Sequence, residues 1–406
     1  MFMKSWLHVI HVTSALPKEK LTPFTAPPSP LYIIIILSGG FSVEALNIGL
    51  LSTCVLTTPP GGYGGTEAAV TDLAVALAKQ GHRVTVYGAE GSRRLMAEHV
   101  DDPDLIDVVE WCPLIEDWVG SEASVRVKEA EYVSFEEFKE LISMHDVVND
   151  HTWFKPGLKL RAEGKAACAT CHGFHVELPD INVDKKCIIG VSKWHANYLS
   201  HTLNLKAEWA YNPVDISKYE VEKNKEDFIL FLARISPEKG AMEFVEICRE
   251  LGVKGVVAGS ISVVSDKDYV RRVKELCEGS QGLVRFIGEV DFNGKVNLLK
   301  RAKALVIPLS LRYWEVFGIV FIEAMACGTP VITTDRGAPR ELIIQSKTGY
   351  VCSDLEELKG VVARLMRGDL VFDSDDCRRR AEEFDRMNVV KRYVELYRRV
   401  LSGDAW

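Results

Sequence analysis

Two successive runs of short apolar segments alternating with amphipathic ones constrain this chain more than any other feature. In the first run, Leu46-Asn-Ile-Gly-Leu-Leu-Ser52 suits a buried strand. The glycine-rich turn Pro59-Pro-Gly-Gly-Tyr-Gly-Gly65 follows. From Thr66 to Gln80, Val70, Leu73, Ala74 and Leu77 recur at helical spacing. Gly81 stops that helix, and His82 to Tyr87 reads as the next strand. Strand, helix and strand of these lengths form a crossover unit in a parallel sheet. The second run repeats the pattern. Its expected strands are Phe228–Ala233, Gly255–Gly259, Val284–Gly288 and Ala304–Pro308. Its expected helices are Ala241–Leu251, Tyr269–Cys277 and Gly294–Arg301. Two such runs imply an α/β chain with two doubly wound domains.

The expected division places an N-terminal domain at 46–213 and a C-terminal domain at 214–385, joined near Tyr211-Asn-Pro-Val-Asp215. The charged stretch from Cys377 to Leu401 reads as one amphipathic helix with Val390, Tyr393, Tyr397 and Val400 on its apolar stripe. Its end, 386–406, is expected to pack across the domain junction. Residues 1–45, with the proline-rich Pro23–Pro30, are expected to be a poorly ordered extension.

Composition excludes some classes. A formal net charge of −8 over 406 residues repels phosphate backbones, so no nucleic-acid role is expected. The longest apolar run, Leu31 to Leu37, is far below the ~20 residues of a membrane span. Ten scattered cysteines contain only one C-x-x-C, Cys168 and Cys171, which gives no four-cysteine metal site. Free buried thiols in a reducing, cytoplasmic setting are expected, with a Cys168/Cys171 redox pair as the alternative. Asp266-Lys-Asp268 has the spacing of a metal-binding pair, but Ser265-Asp-Lys-Asp268 reads better as a capping box, so no metal is expected. The basic stretch Lys155 to Lys165 reads as a solvated face, leaving weak peripheral membrane contact as a minor option.

The densest chemical signal is Glu315-Val-Phe-Gly-Ile-Val-Phe-Ile-Glu323-Ala-Met-Ala-Cys-Gly-Thr-Pro-Val-Ile332. An acid sits in a loop, glycine follows, a helix starts, and a second acid lies eight positions on. At 1.5 Å rise per residue the two carboxylates are roughly 12 Å apart along the axis, the hexose-to-ribose separation of a folded nucleotide sugar. Backbone N–H groups of Phe317, Gly318 and Ile319 at the helix start suit the diphosphate between them. Each carboxylate can accept two sugar hydroxyls.

This segment closely resembles the E-x7-E signature of the family 4 retaining glycosyltransferases. The likeness extends over about Asn47 to Leu401. It implies the GT-B architecture, two facing Rossmann-like domains with the active site in the cleft between them. Arg234-Ile-Ser-Pro-Glu-Lys239-Gly240 is similar to the family's R-x-x-x-x-K-G, which implies that Arg234 and Lys239 clamp the donor diphosphate. Gly61-Gly-Tyr-Gly-Gly65 resembles the family's glycine loop, which places Gly64 and Gly65 against that diphosphate. Thr170-Cys-His172 is similar to a segment whose histidine touches the transferred sugar, and His151 resembles a second, upstream histidine. Asn212-Pro-Val-Asp215 matches the family hinge with proline in place of glycine.

What the resemblance implies is hexose transfer from a UDP-, GDP- or ADP-sugar to an unnamed acceptor, without metal or other cofactor. Glu315 then acts on the sugar and Glu323 on the ribose. The competing readings are a nucleotide-sugar epimerase, a non-catalytic sugar-nucleotide binder, and a nicotinamide-dependent oxidoreductase built on the glycine loop. The loop lacks the G-x-G-x-x-G register that the last one needs.

Overall fold

Continuous apolar strands can be buried on both faces only if helices cover both faces of a parallel sheet. The computed structural model, which describes residues 44–406 apart from 101–102 and 116–117, contains two such sheets. The expected extension lies, up to residue 43, outside the described residues.

The first sheet has seven parallel strands in the order β3-β2-β1-β4-β5-β6-β7. They are β1 (Asn47–Leu51), β2 (Arg83–Ala89), β3 (Ile106–Cys112), β4 (Val147–Asp150), β5 (Ala167–Cys171), β6 (Ile188–Gly190) and β7 (Ala207–Trp209). Its helices are α1 (Gly65–Lys79), α2 (Ser92–His99), α3 (Ser121–Ile142), α4 (Lys159–Ala162) and α5 (Lys193–Thr202).

The second sheet has six parallel strands in the order β10-β9-β8-β11-β12-β13. They are β8 (Ile229–Leu232), β9 (Gly255–Ala258), β10 (Val284–Gly288), β11 (Ala304–Ile307), β12 (Val331–Thr334) and β13 (Gly349–Cys352). Its helices are α6 (Ala241–Leu251), α7 (Lys267–Glu278), α8 (Phe292–Arg301), α9 (Ile319–Ala326), α10 (Pro339–Leu342), α11 (Leu355–Arg367) and α12 (Ser374–Glu382). The last helix, α13 (Arg386–Leu401), returns to the first sheet. There Val390, Tyr393, Tyr397 and Val400 join the core of β1, β2 and α1, and Tyr397 Oη accepts from Asn149 Nδ2 at 2.8 Å. Each such buried apolar side chain contributes about 1.5–3 kcal/mol.

Four expectations are corrected. The single helix from Cys377 to Leu401 is two, α12 and α13. The break is set by Asp385, which caps α13 by accepting from Met387 N, and by Val214, whose backbone pairs with Phe384 and Arg386. The cysteines are not all free. Cys54 and Cys112, with Cα atoms 5.8 Å apart, form a disulfide between the loop after β1 and the end of β3. Cys168 and Cys171 are free, buried in separate core clusters, and point to opposite faces of β5, so they are not a redox pair. The α7 cap is Asp266 rather than Ser265, accepting from Tyr269 N at 2.8 Å, while Asp268 pairs with Arg271. Finally, Lys155 is not part of a solvated face. It is 2% exposed, and its ammonium donates to the carbonyls of Thr152 and Thr170.

The crossing between the halves is tied by charge. Arg386 bridges Asp215 at 2.9 Å and Asp72 of α1 at 3.3 Å, and Asp72 also accepts from Asp215 N. Among the described residues no helix is long and apolar enough to cross a membrane.

Candidate active site

In each sheet the strand order reverses once, between β1 and β4 and between β8 and β11. Neighbouring strands there send their following loops in opposite directions, which opens a crevice at the carboxyl ends. Arg234 follows β8, and Glu315 follows β11. Gly64 and Gly65 follow β1, His151 follows β4, and His172 follows β5. The topology therefore carries residues far apart in sequence to two switch points.

On the second sheet, Glu315 is 7% exposed and its carboxylate is ion-paired with the Lys239 ammonium. That ammonium also donates to Tyr313 Oη at 3.1 Å and lies over the Tyr313 ring, 4.5 Å from its centroid. Burial works to lower the Lys239 pKa, but Glu315 and Tyr313 outweigh it and hold it above the usual value. Arg234 shows the same balance: burial lowers its pKa, while Tyr63, Tyr313, Glu238 and Glu315 together raise it. Tyr63 belongs to the glycine-rich loop of the first half, so the field at Arg234 comes from both halves.

Helix α9 is built to present its N-terminus. Gly318 at its cap has φ 89°, and a Cβ there would lie 2.7 Å from the Phe321 ring, so glycine is required. No side chain caps that end, and the first turn holds no acid. The opposite end is held by cations: Lys225 Nζ donates to Cys327 O and Arg378 Nη1 to Ala326 O. The positive end of the helix is thus left to an anion. The Phe317 ring packs on Tyr211 and Phe384 and is 1% exposed, so only its backbone can meet a ligand. Inside the helix Glu323, 7% exposed, accepts from Tyr219 Oη at 2.7 Å and is ion-paired with Lys295 of α8. The two acids therefore have separate partners.

On the first sheet, His151 Nδ1 and His172 Nε2 are 2.8 Å apart, so the two rings share one hydrogen bond. His151 is 2% exposed, and its Nε2 has no partner among the described residues. Burial first, and then Lys155 for His151 and both His151 and Lys155 for His172, hold the two imidazoles well below the usual histidine range and therefore neutral.

The halves meet around these loops. A Cβ on Gly65 would lie 3.7 Å from Ile319 Cδ1, which sets the N-terminus of α1 against that of α9. Trp194 of α5 stacks on Trp314 with centroids 5.5 Å apart. Glu341 of α10 accepts from Lys193 N at 2.9 Å and from Trp194 N. Ser192 Oγ donates to Val316 O at 2.7 Å. Tyr313, Tyr219, Lys295, Ser192 and Glu341 were not found from sequence. None stands in a motif, and each reaches the site through a tertiary contact.

Comparison with known proteins identifies the family and the fold. The model of the glycosyl transferases group 1 family matches residues 215–384, and that of glycosyltransferase family 4 matches residues 63–218. The chain belongs to glycosyltransferase family 4.

This family 4 chain is 25% identical over 365 residues to spore coat protein SA of Bacillus subtilis, covering 81% of this chain and 91% of that one. An uncharacterized glycosyltransferase of Methanocaldococcus jannaschii is 25% identical over 193 residues, 46% of this chain and 51% of that protein. The similarity to glycogen synthase of Mycobacterium tuberculosis is 30% over 128 residues and spans 30% of each chain. Over those last two relatives the chain spans about half and about a third of their own length. A solved glycosyltransferase involved in avilamycin A biosynthesis superposes with a TM-score of 0.66 at 24% identity, covering 89% of this chain and 99% of that one. Anabaena HepE in complex with UDP and glucose superposes with a TM-score of 0.65 at 17% identity, covering 86% and 98%. Both share the two-domain GT-B fold.

Proposed function

We propose that this glycosyltransferase is a retaining, metal-independent hexosyltransferase whose donor is a nucleotide diphosphate sugar. The observation that carries the proposal is the Lys239–Glu315 pair, set beside Arg234 at the uncapped N-terminus of α9. Arg234, Lys239 and the backbone N–H groups of Phe317, Gly318 and Ile319 receive the diphosphate. Glu323 holds the ribose, and Glu315 and His172 hold the hexose, with His151 behind His172. Gly64 and Gly65 close over the diphosphate from the first half. That a protein of the same fold, Anabaena HepE, is complexed with UDP-glucose supports a UDP-sugar among the candidates.

As the bond between the anomeric carbon and the diphosphate oxygen breaks, negative charge grows on the leaving group. Cations aimed there favour the transition state over bound donor. The acceptor oxygen attacks the same face, and its proton passes to the departing diphosphate. The incoming diphosphate also competes with Glu315 for Lys239, which frees the carboxylate for sugar hydroxyls.

The test is proton NMR of the anomeric signal during turnover of α-linked UDP-, GDP- and ADP-glucose, with water as acceptor. First-formed α-glucose is expected from one donor. First-formed β-glucose would overturn retention, and an epimerised donor with no transfer would overturn the reaction class.

A further inference from the structure

One buried imidazole outside the predicted site has its protonation state set by its neighbours. His195 lies in the first turn of α5 and is 0% exposed. That turn sits directly on β6, because a Cβ on Gly190 would lie only 2.5 Å from Ala196 N. His195 Nδ1 faces the N–H of Val191 at 3.3 Å, and Nε2 faces the carbonyl of Gly173 at 3.1 Å. A backbone N–H only donates, and a carbonyl only accepts. Nδ1 must therefore carry the lone pair and Nε2 the proton. The other neutral tautomer satisfies neither contact, and the imidazolium would set a second proton against Val191 N–H. Burial pushes the pKa down to about 4, against the Gly173 hydrogen bond and with the Lys155 charge.

The same turn touches both sides of the site. Gly173 directly follows His172, whose ring is bonded to His151. Ser192, the cap of α5, accepts from His195 N at 3.0 Å and donates to the carbonyl of Val316, which directly follows Glu315. One turn of helix thus grips the residue after His172 and the residue after Glu315, which come from different halves.

We infer that His195 is a positioning residue for transfer, a neutral single-tautomer strut that sets the His172–His151 pair at a fixed place relative to Glu315. The inference rests on the transfer reading above. His195 touches no substrate in it. Misplacing a sugar-contacting group by about 1 Å can cost on the order of 10²-fold in rate.

The test uses the full chain and three variants. In His195→Gln the amide nitrogen reaches the place of Nε2 and can donate to Gly173 O. In His195→Asn only the Nδ1 side can be replaced, and in His195→Phe neither can. Two readouts are taken: ¹⁵N-histidine NMR of the His151–His172 pair at pH 7, and hydrolysis of UDP-, GDP- and ADP-glucose. His195→Gln should keep the pair's resonances and stay within about 3-fold of wild-type kcat. His195→Asn and His195→Phe should shift those resonances and lower kcat by about 10- to 100-fold at nearly unchanged KM. Unchanged resonances in a folded His195→Asn or His195→Phe chain would overturn the inference. If His195→Phe does not fold, equal behaviour of the Asn and Gln variants overturns it. If the wild-type chain hydrolyses none of the three donors, the transfer reading fails, and the NMR arm still decides whether His195 places the pair.

Discussion

The Lys239 ammonium and the Glu315 carboxylate form an ion pair in which the two side chains are only 13% and 9% exposed. A pair so buried is a poor stabilising device, because desolvation offsets most of its Coulomb energy, yet removing one partner alone leaves an uncompensated charge. Its placement beside Arg234 is better explained by an anion that arrives between them.

Arg234→Ala and Lys239→Ala should each lower kcat by about 10²- to 10³-fold, the usual cost of one preorganised charge-stabilising group. Donor KM should change far less. The double variant should lose less than the product of the singles, since both cations act on one diphosphate. Steady-state kinetics with the turned-over donor checks this. Wild-type kcat with only KM raised would mean that the residue merely binds ground-state donor.

Stability should fall on acidification through a defined window. The folded-state pKa of His195 is depressed to about 4, below the unfolded value of about 6.5. The unfolded chain therefore binds a proton that the folded chain refuses. The stability from neutral His195 is present above about pH 6.5 and is lost progressively as pH falls toward 4, by about 3 kcal/mol in all. His151 and His172, also depressed, add to the same slope. Urea unfolding at pH 7, 5.5 and 4.5 should show the decline. In His195→Gln the decline should be smaller, and an identical slope in that variant would count against a neutral His195.

Turnover should survive a chelator, because in the proposed reaction the charge on the leaving diphosphate is met by Arg234, Lys239 and the α9 N-terminus. Asp266 and Asp268 are engaged in capping α7 and in pairing with Arg271. Loss of donor hydrolysis in EDTA, restored by Mn²⁺ or Mg²⁺, would overturn metal independence.

Much of the fold was legible because parallel strands read as uninterrupted apolar runs between helical periods, so Ala241–Leu251 could be delimited from sequence alone. The residues proposed to hold the donor could be picked out because Glu315, Gly318 and Glu323 lie within one short segment. What surrounds them was not. Tyr219 reaches Glu323 across 104 positions of sequence, and Ser192 reaches Val316 across 124, so no local pattern announces either. The break between α12 and α13 was hidden for a related reason: the amphipathic period runs through it, and the chain turns there because Val214 offers a tertiary pairing partner. Cys54 and Cys112 are 58 positions apart, and their spacing carries no signal. Lys155 was misread because a lysine among lysines resembles solvent-facing chain. Its burial follows from the carbonyls of Thr152 and Thr170, which converge on its ammonium.

In the proposed reaction α9 and its flanking charges hold a nucleoside diphosphate, with Glu323 on the ribose. Calorimetric titration of UDP, GDP and ADP into the wild-type chain and into Glu323→Ala tests it most directly. One diphosphate should bind at one site per chain, and Glu323→Ala should weaken it by about 1–3 kcal/mol, the cost of leaving hydrogen-bonding groups unpaired. Binding of none of the three, or equal affinity in Glu323→Ala, would overturn that assignment.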